Sequence, residues 1–141
     1  MYVVSEIRTR RYRGRSLPAI TGPEAVHRLV FPRLKTERRE HFIALYLDSR
    51  NNVLAQETIS VGSLNASIVH PREVFRPAIL HSAAALILVH NHPSGDPQPS
   101  EEDLAITRRL REAGQLLGIE LLDHVVLASG GYASFKERRL L

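Results

Sequence analysis

His90-Asn91-His92-Pro93-Ser94-Gly95-Asp96-Pro97-Gln98-Pro99-Ser100-Glu101-Glu102-Asp103 follows directly on the apolar run Ala83 to Val89. It sets two imidazoles, a hydroxyl and a carboxylate at the mouth of what reads as a buried central strand. In an extended strand end, residues i and i+2 face the same way, so His90 and His92 point together and Asn91 points elsewhere. Pro93 keeps His92 out of the helical region. Ser94-Gly95-Asp96-Pro97 turns the chain, and Ser100 opens a helix. Asp103 falls in its first turn, where the helix dipole favours a carboxylate. With the loop folded back, His90, His92 and Asp103 converge.

Two nitrogens and one carboxylate oxygen leave a fourth tetrahedral position for water, the pattern of a catalytic zinc site as opposed to a closed structural one. The chain has no cysteine, so thiolate ligands are excluded. Non-haem iron uses a similar set but needs three open positions and cosubstrates. Ser100-x-x-Asp103 is also a helix-capping pattern, and the two readings are compatible.

Outward from this run, the chain reads as one α/β domain over residues 1–141. Residues 1–20 form an edge strand and an Arg-rich loop, and 21–135 form the core. Val3 to Arg11 alternates like an edge strand, a surface on which another chain could pair. Thr21 caps a first helix with Pro23 in its first turn, and Pro32 warns of a kink or early end. Phe42–Leu47 and Val53–Ser60 make a hairpin through Asp48–Asn52. Pro71 starts a second helix with Val74, Phe75, Ala78, Ile79 and Leu80 as its buried stripe. The third helix runs to Leu117 and stops at Gly118. Ile119–Ala128 and Tyr132–Phe135 close the chain as a hairpin around Ser129-Gly130-Gly131.

The 141 residues suit one domain with a real core. No apolar run reaches the ~20 residues of a membrane span, and the start lacks the features of a signal peptide. A soluble, cytoplasmic protein is expected. The net charge is +4, with Arg8, Arg10, Arg11, Arg13 and Arg15 gathered near the start. Such an arm can contact the phosphates of a nucleic acid, or can simply be a solvated edge strand in an Arg-biased chain whose lysines are Lys35 and Lys136.

His-x-His, seven residues, Ser, two residues and Asp is the signature of the JAMM (MPN-plus) metalloproteases, carried here by His90, His92, Ser100 and Asp103. The wording His-Asn-His-Pro-Ser-Gly resembles the RadC-type branch. So do Leu47-Asp48, Pro71 to Phe75, Leu122-Asp123-His124 and Tyr132-x-Ser134-Phe135, and the likeness covers about Val3 to Phe135. It implies a mixed sheet flanked by three helices, with cytidine-deaminase-like layering, and one zinc per chain on His90, His92 and Asp103. It also implies hydrolysis of a peptide or isopeptide bond in a protein or peptide substrate, with Glu40 as general base and Ser100 hydrogen-bonding the oxyanion. Glu57 is the competing carboxylate, and Glu37 reads as helix surface. Asp123-His124 reads either as an outer pair orienting a ligand imidazole or as a surface or turn feature. His27, His41, His70 and His81 show no ligand spacing.

Longer RadC proteins place a helix-hairpin-helix region ahead of this domain. The roughly twenty residues before the first helix here resemble the short, stand-alone forms, which weakens any expectation of DNA repair. Two other classes stand beside the hydrolase: a nucleic-acid protein, since His90-Asn91-His92 spells HNH, and a non-catalytic metal-binding scaffold. The nuclease reading lacks a third histidine at the start of the following helix.

Overall fold

The computed structural model describes residues 9–11 and 18–141. Its order is β1 (Thr9–Arg11), α1 (Pro23–Leu34), β2 (His41–Leu47), β3 (Val53–Val61), α2 (Pro71–Leu80), β4 (Ala85–Asn91), α3 (Glu101–Leu117), β5 (Glu120–Ala128) and β6 (Gly131–Ser134). The strands form one six-stranded sheet in the order β1-β3-β2-β4-β5-β6. Only β4 and β5 run parallel, because α3 carries the chain back across the sheet between them. The expected α/β domain with a mixed sheet and three helices is what forms. The edge strand holds over Thr9–Arg11, paired antiparallel to β3. Val3 to Arg8 and Arg13 and Arg15 lie outside the described residues. So does most of the expected loop after the strand.

Alternation along the strands sorts the core into two layers. Ile43, Leu45 and Leu47 of β2 with Ile87 and Val89 of β4 pack under α1 through Ala25, Val26, Val30 and Leu34. Phe42, Ala44 and Tyr46 with Leu86 and Leu88 face α2 and α3 through Val74, Phe75, Ile106 and Leu110. The period of two in β4 therefore continues Leu86, Leu88 and His90 onto the α2/α3 side. The Tyr46 hydroxyl, buried in this layer, donates to the carbonyl of Val74 at 2.6 Å.

Some local expectations change. The N-cap of α1 is Gly22, not Thr21, and no side chain caps it. The helix also runs two residues past Pro32, with Lys35 N–H still bonded to the Phe31 carbonyl. In α2, Val74, Phe75 and Ala78 are buried, but Ile79 and Leu80 are 59% and 71% exposed. The helix ends there: Ser82 turns left-handed and Ala83 N–H bonds back to Ala78, so β4 starts at Ala85 and extends through Asn91. Among the described residues no helix is long and apolar enough to cross a membrane.

Candidate metal centre

Ser100 and Asp103 form a reciprocal cap at the start of α3. The Ser100 hydroxyl accepts from the Asp103 N–H at 3.1 Å, and the Ser100 N–H donates to Asp103 Oδ2 at 2.8 Å. Asp103 is fully buried, and both its oxygens face histidines. His90 Nδ1 lies 2.7 Å from Oδ1 and His92 Nε2 lies 3.1 Å from Oδ2. Burial opposes ionisation of this carboxyl, but hydrogen bonds from His90 and His92 hold it well below the usual carboxylate range.

His92 leaves the sheet after donating its backbone N–H to Leu127 at 2.8 Å. Its Nδ1 donates to the Asp96 carbonyl at 3.0 Å, which closes the loop on itself. The hydrogen bond to Asp103 then raises the pKa of this imidazole against the opposing effect of burial. Gly95, at φ 93°, turns the loop against the β5–β6 hairpin, where Gly130 N–H meets its carbonyl at 3.1 Å. A Cβ on Gly130 would stand 2.7 Å from that carbonyl oxygen, so only glycine permits the docking.

Glu40 precedes β2. Its carbonyl accepts from Gly62 N–H at 2.8 Å, and Oε2 accepts from Leu64 N–H at 3.1 Å. Oε1 lies 3.9 Å from His90 Nε2. The loop supplying those amides is fixed to α3, since Glu102 accepts from Ala66 N–H and Arg109 donates to the Ala66 carbonyl, both at 2.8 Å.

Among the described residues two overlapping sets could hold a cation: Glu40, His90 and His92, and His90, Asp103 and His124. In each, the ligand atoms lie within 4.8 Å of one another. Neither set is the expected trio of His90, His92 and Asp103; Asp103 is hydrogen-bonded to both histidines, Glu40 lies beside His90, and Ser100 caps Asp103. The chemistry of the donors fits zinc, and so does an observation about His90: its Nε2 is buried without a hydrogen-bond partner. His124 Nε2 is the second such atom. Glu57 is buried on β3 and belongs to neither set; Glu37 is exposed beyond the end of α1. His27, His41, His70 and His81 are partly buried and outside both sets.

His124, outside the ligand set that the sequence leads one to expect, is wholly buried beside Asp103, with Nε2 3.9 Å from Oδ1. Its ring stacks on Phe135 at 4.6 Å. Burial pushes its pKa down to about 3, with Asp103 opposing. The signal available is Asp123-His124 itself, an ionisable pair inside an apolar strand. Asp123 is buried as well, raised in pKa by that burial, and held by Ser134 Oγ at 2.6 Å.

A mixed sheet with helices on both faces, carrying His-x-His at a strand end and Ser-x-x-Asp at the following helix start, defines a domain of the JAB/MPN class. The chain belongs to the RadC family within it: the profile described as the RadC-like JAB domain matches residues 20–140. It is 54% identical over 118 residues to a UPF0758 protein of Methanosarcina acetivorans, covering 84% of this chain and 52% of that protein. A UPF0758 protein of Shouchella clausii is 54% identical over 121 residues, covering 86% and 53%. One of Pelobacter propionicus is 52% identical over 134 residues, covering 93% and 58%. The chain thus spans about half the length of the curated relatives it matches.

Proposed function

We propose that this domain is a zinc-dependent hydrolase of peptide or isopeptide bonds, acting on a protein or peptide substrate. The observation that carries the reading is the buried, unpartnered His90 Nε2 facing Glu40 Oε1, beside His92. His90, His92 and Asp103 would hold one zinc per chain. When bound, zinc supplies Lewis acidity, bringing the pKa of a water towards neutrality and polarising the substrate carbonyl.

Glu40 carries the proton. Its Oε2 is engaged by Leu64 N–H, so Oε1 is the oxygen that takes a proton from the attacking water and passes it to the departing amine. Ser100 Oγ carries a rotatable proton, now directed at Asp103 Oδ2 at 2.9 Å. Turned outward, that hydroxyl donates to the carbonyl oxygen as negative charge develops. A ligating imidazole must be neutral, so loading weakens as pH falls.

The test combines metal analysis with hydrolysis of peptide and isopeptide libraries by wild type and Glu40→Gln. One zinc per chain in both, with turnover reduced about 10²–10⁴-fold in the variant, is expected. Full activity of Glu40→Gln would sink the assigned role. Zinc binding without turnover on any amide would favour a scaffold instead. DNA cleavage by metal-loaded protein that disappears in His92→Ala would favour a nuclease.

A further inference from the structure

Asn91, the middle residue of the His-Asn-His run, lies where the sheet changes its pairing. The β2–β4 ladder ends at Phe42–His90, whereas β4 continues beside β5 through Asn91–Leu127. Beyond Phe42 the backbone of β4 makes no further pair with β2 among the described residues. The Asn91 side chain bridges the two strands there. Its Oδ1 accepts from His41 N–H at 2.5 Å, and its Nδ2 donates to the Arg39 carbonyl at 3.1 Å. Those two backbone groups flank Glu40.

We propose that Asn91 is the positioning residue for Glu40: its side-chain amide replaces a peptide unit between β4 and β2 and sets Glu40 Oε1 against His90 and His92. The inference rests on the hydrolase reading in taking Glu40 as the proton carrier. Three groups then fix Glu40. Asn91 holds the backbone on either side, Gly62 N–H holds its carbonyl, and Leu64 N–H holds Oε2. Only Oε1 is left to move protons.

The chemistry selects an amide. A primary amide offers one acceptor and donors in the peptide arrangement, whereas a carboxylate has only acceptors and would confront the Arg39 carbonyl with like charge density. Asn91 is 3% exposed, so solvent does not readily replace either bond. The alternation that sends His90 to the α2/α3 side also frees Asn91 for the neighbouring strand. One tripeptide thereby supplies two metal-directed imidazoles and the device that aligns their base.

The full chain, zinc-loaded, is compared as wild type, Asn91→Ala and Asn91→Asp. In Asn91→Ala the amides of His41, Gly62 and Leu64 should exchange hydrogen roughly tenfold faster or more, while those of Leu86–Val89 keep wild-type protection. Zinc remains stoichiometric, since no ligand is removed. On any amide substrate, kcat should fall about 10²-fold or more with KM unchanged. The double variant Asn91→Ala with Glu40→Gln should be no slower than Glu40→Gln alone, a non-additivity that general loosening of the fold does not produce. Asn91→Asp, which keeps the His41 bond but sets a carboxylate against the Arg39 carbonyl, should show the same pattern, and it carries the comparison if Asn91→Ala does not fold.

Wild-type exchange at Gly62 and Leu64 in the variants overturns the proposal, as does an additive double variant. If wild type hydrolyses no amide, the hydrolase reading fails, while the exchange comparison still decides whether Asn91 holds Glu40.

Discussion

The Thr107 hydroxyl stands 2.6 Å from His124 Nδ1 and also 2.6 Å from the backbone carbonyl of Asp103. A hydroxyl has one proton, and a carbonyl can only accept. Thr107 therefore donates to Asp103, and His124 Nδ1–H donates to Thr107. That chain fixes the tautomer and turns a bare Nε2 towards the site. Thr107→Val strips the Nδ1–H of its acceptor inside the core. A loss of about 1–3 kcal/mol is expected in urea unfolding of the metal-free protein. A change within experimental error would contradict the assigned tautomer.

His124 also predicts acid sensitivity. Its pKa falls from about 6.5 in the unfolded chain to about 3 when folded, burial being the main cause. Between those values the unfolded state binds a proton that the folded state refuses, so stability rises with pH. The contribution is complete above about pH 6.5 and is lost as pH falls towards 3, with a slope of up to ~1.4 kcal/mol per pH unit. Asp103, held low, acts in the same sense below about pH 4. Asp123 and His92, both raised, act in the opposite sense at and above their unfolded values. Urea unfolding in chelator at pH 7 and pH 4.5 should show a larger loss for wild type than for His124→Phe. Parallel losses in the two proteins would refute the prediction.

His90 and His92 should separate in stability, although the proposal gives both to the metal. The His90 side chain is 1% exposed and packs edge-on to Phe42, whereas that of His92 is 10% exposed and sits on the loop. His90→Ala opens space in the core and should cost about 2–4 kcal/mol without metal, with a smaller cost for His92→Ala. Both variants should lose zinc. Thermal unfolding in chelator alongside metal titration checks the order, and a reversed order would place the packing elsewhere.

Gly114 lies inside α3, where alanine ordinarily gains up to ~1 kcal/mol of helix propensity. Here an added Cβ would run into the Ile119 carbonyl oxygen and stand 3.3 Å from the Phe75 ring. Gly114→Ala should therefore destabilise, by about 1–3 kcal/mol, as α3 is pushed from α2 and the start of β5. An increase in Tm would show that the helix shifts without strain.

Much of this structure is legible in local signals. Ser100 caps α3, Gly118 ends it in the left-handed conformation, and the β2–β3 hairpin follows its apolar pattern. Those features depend on neighbours in sequence. Ile79 and Leu80 mislead because apolar spacing does not say where a helix turns away from the sheet, and Ser82 decides that here. His124 is hidden by its apolar strand, since periodicity does not reveal which face Asp123 and His124 take around the irregularity opposite Leu86 and Ile87. Asn91 is invisible for a different reason. Alternation says that it turns away from the histidines, but not that β2 leaves two peptide groups for it to bond.

The parallel β4–β5 pair bears on how the site comes into being. Parallel neighbours cannot meet through a tight turn, so their union waits for α3 to form and dock, a non-local closure of the kind that slows folding. Asp103 reaches His90 only with that docking, and Glu40 arrives just ahead of β2, from a separate hairpin. No short fragment contains the assembled centre, in contrast to zinc fingers, whose compact ligand sets let the metal organise the chain. In refolding, metal capture should appear as a late event, reporting that the crossover has closed.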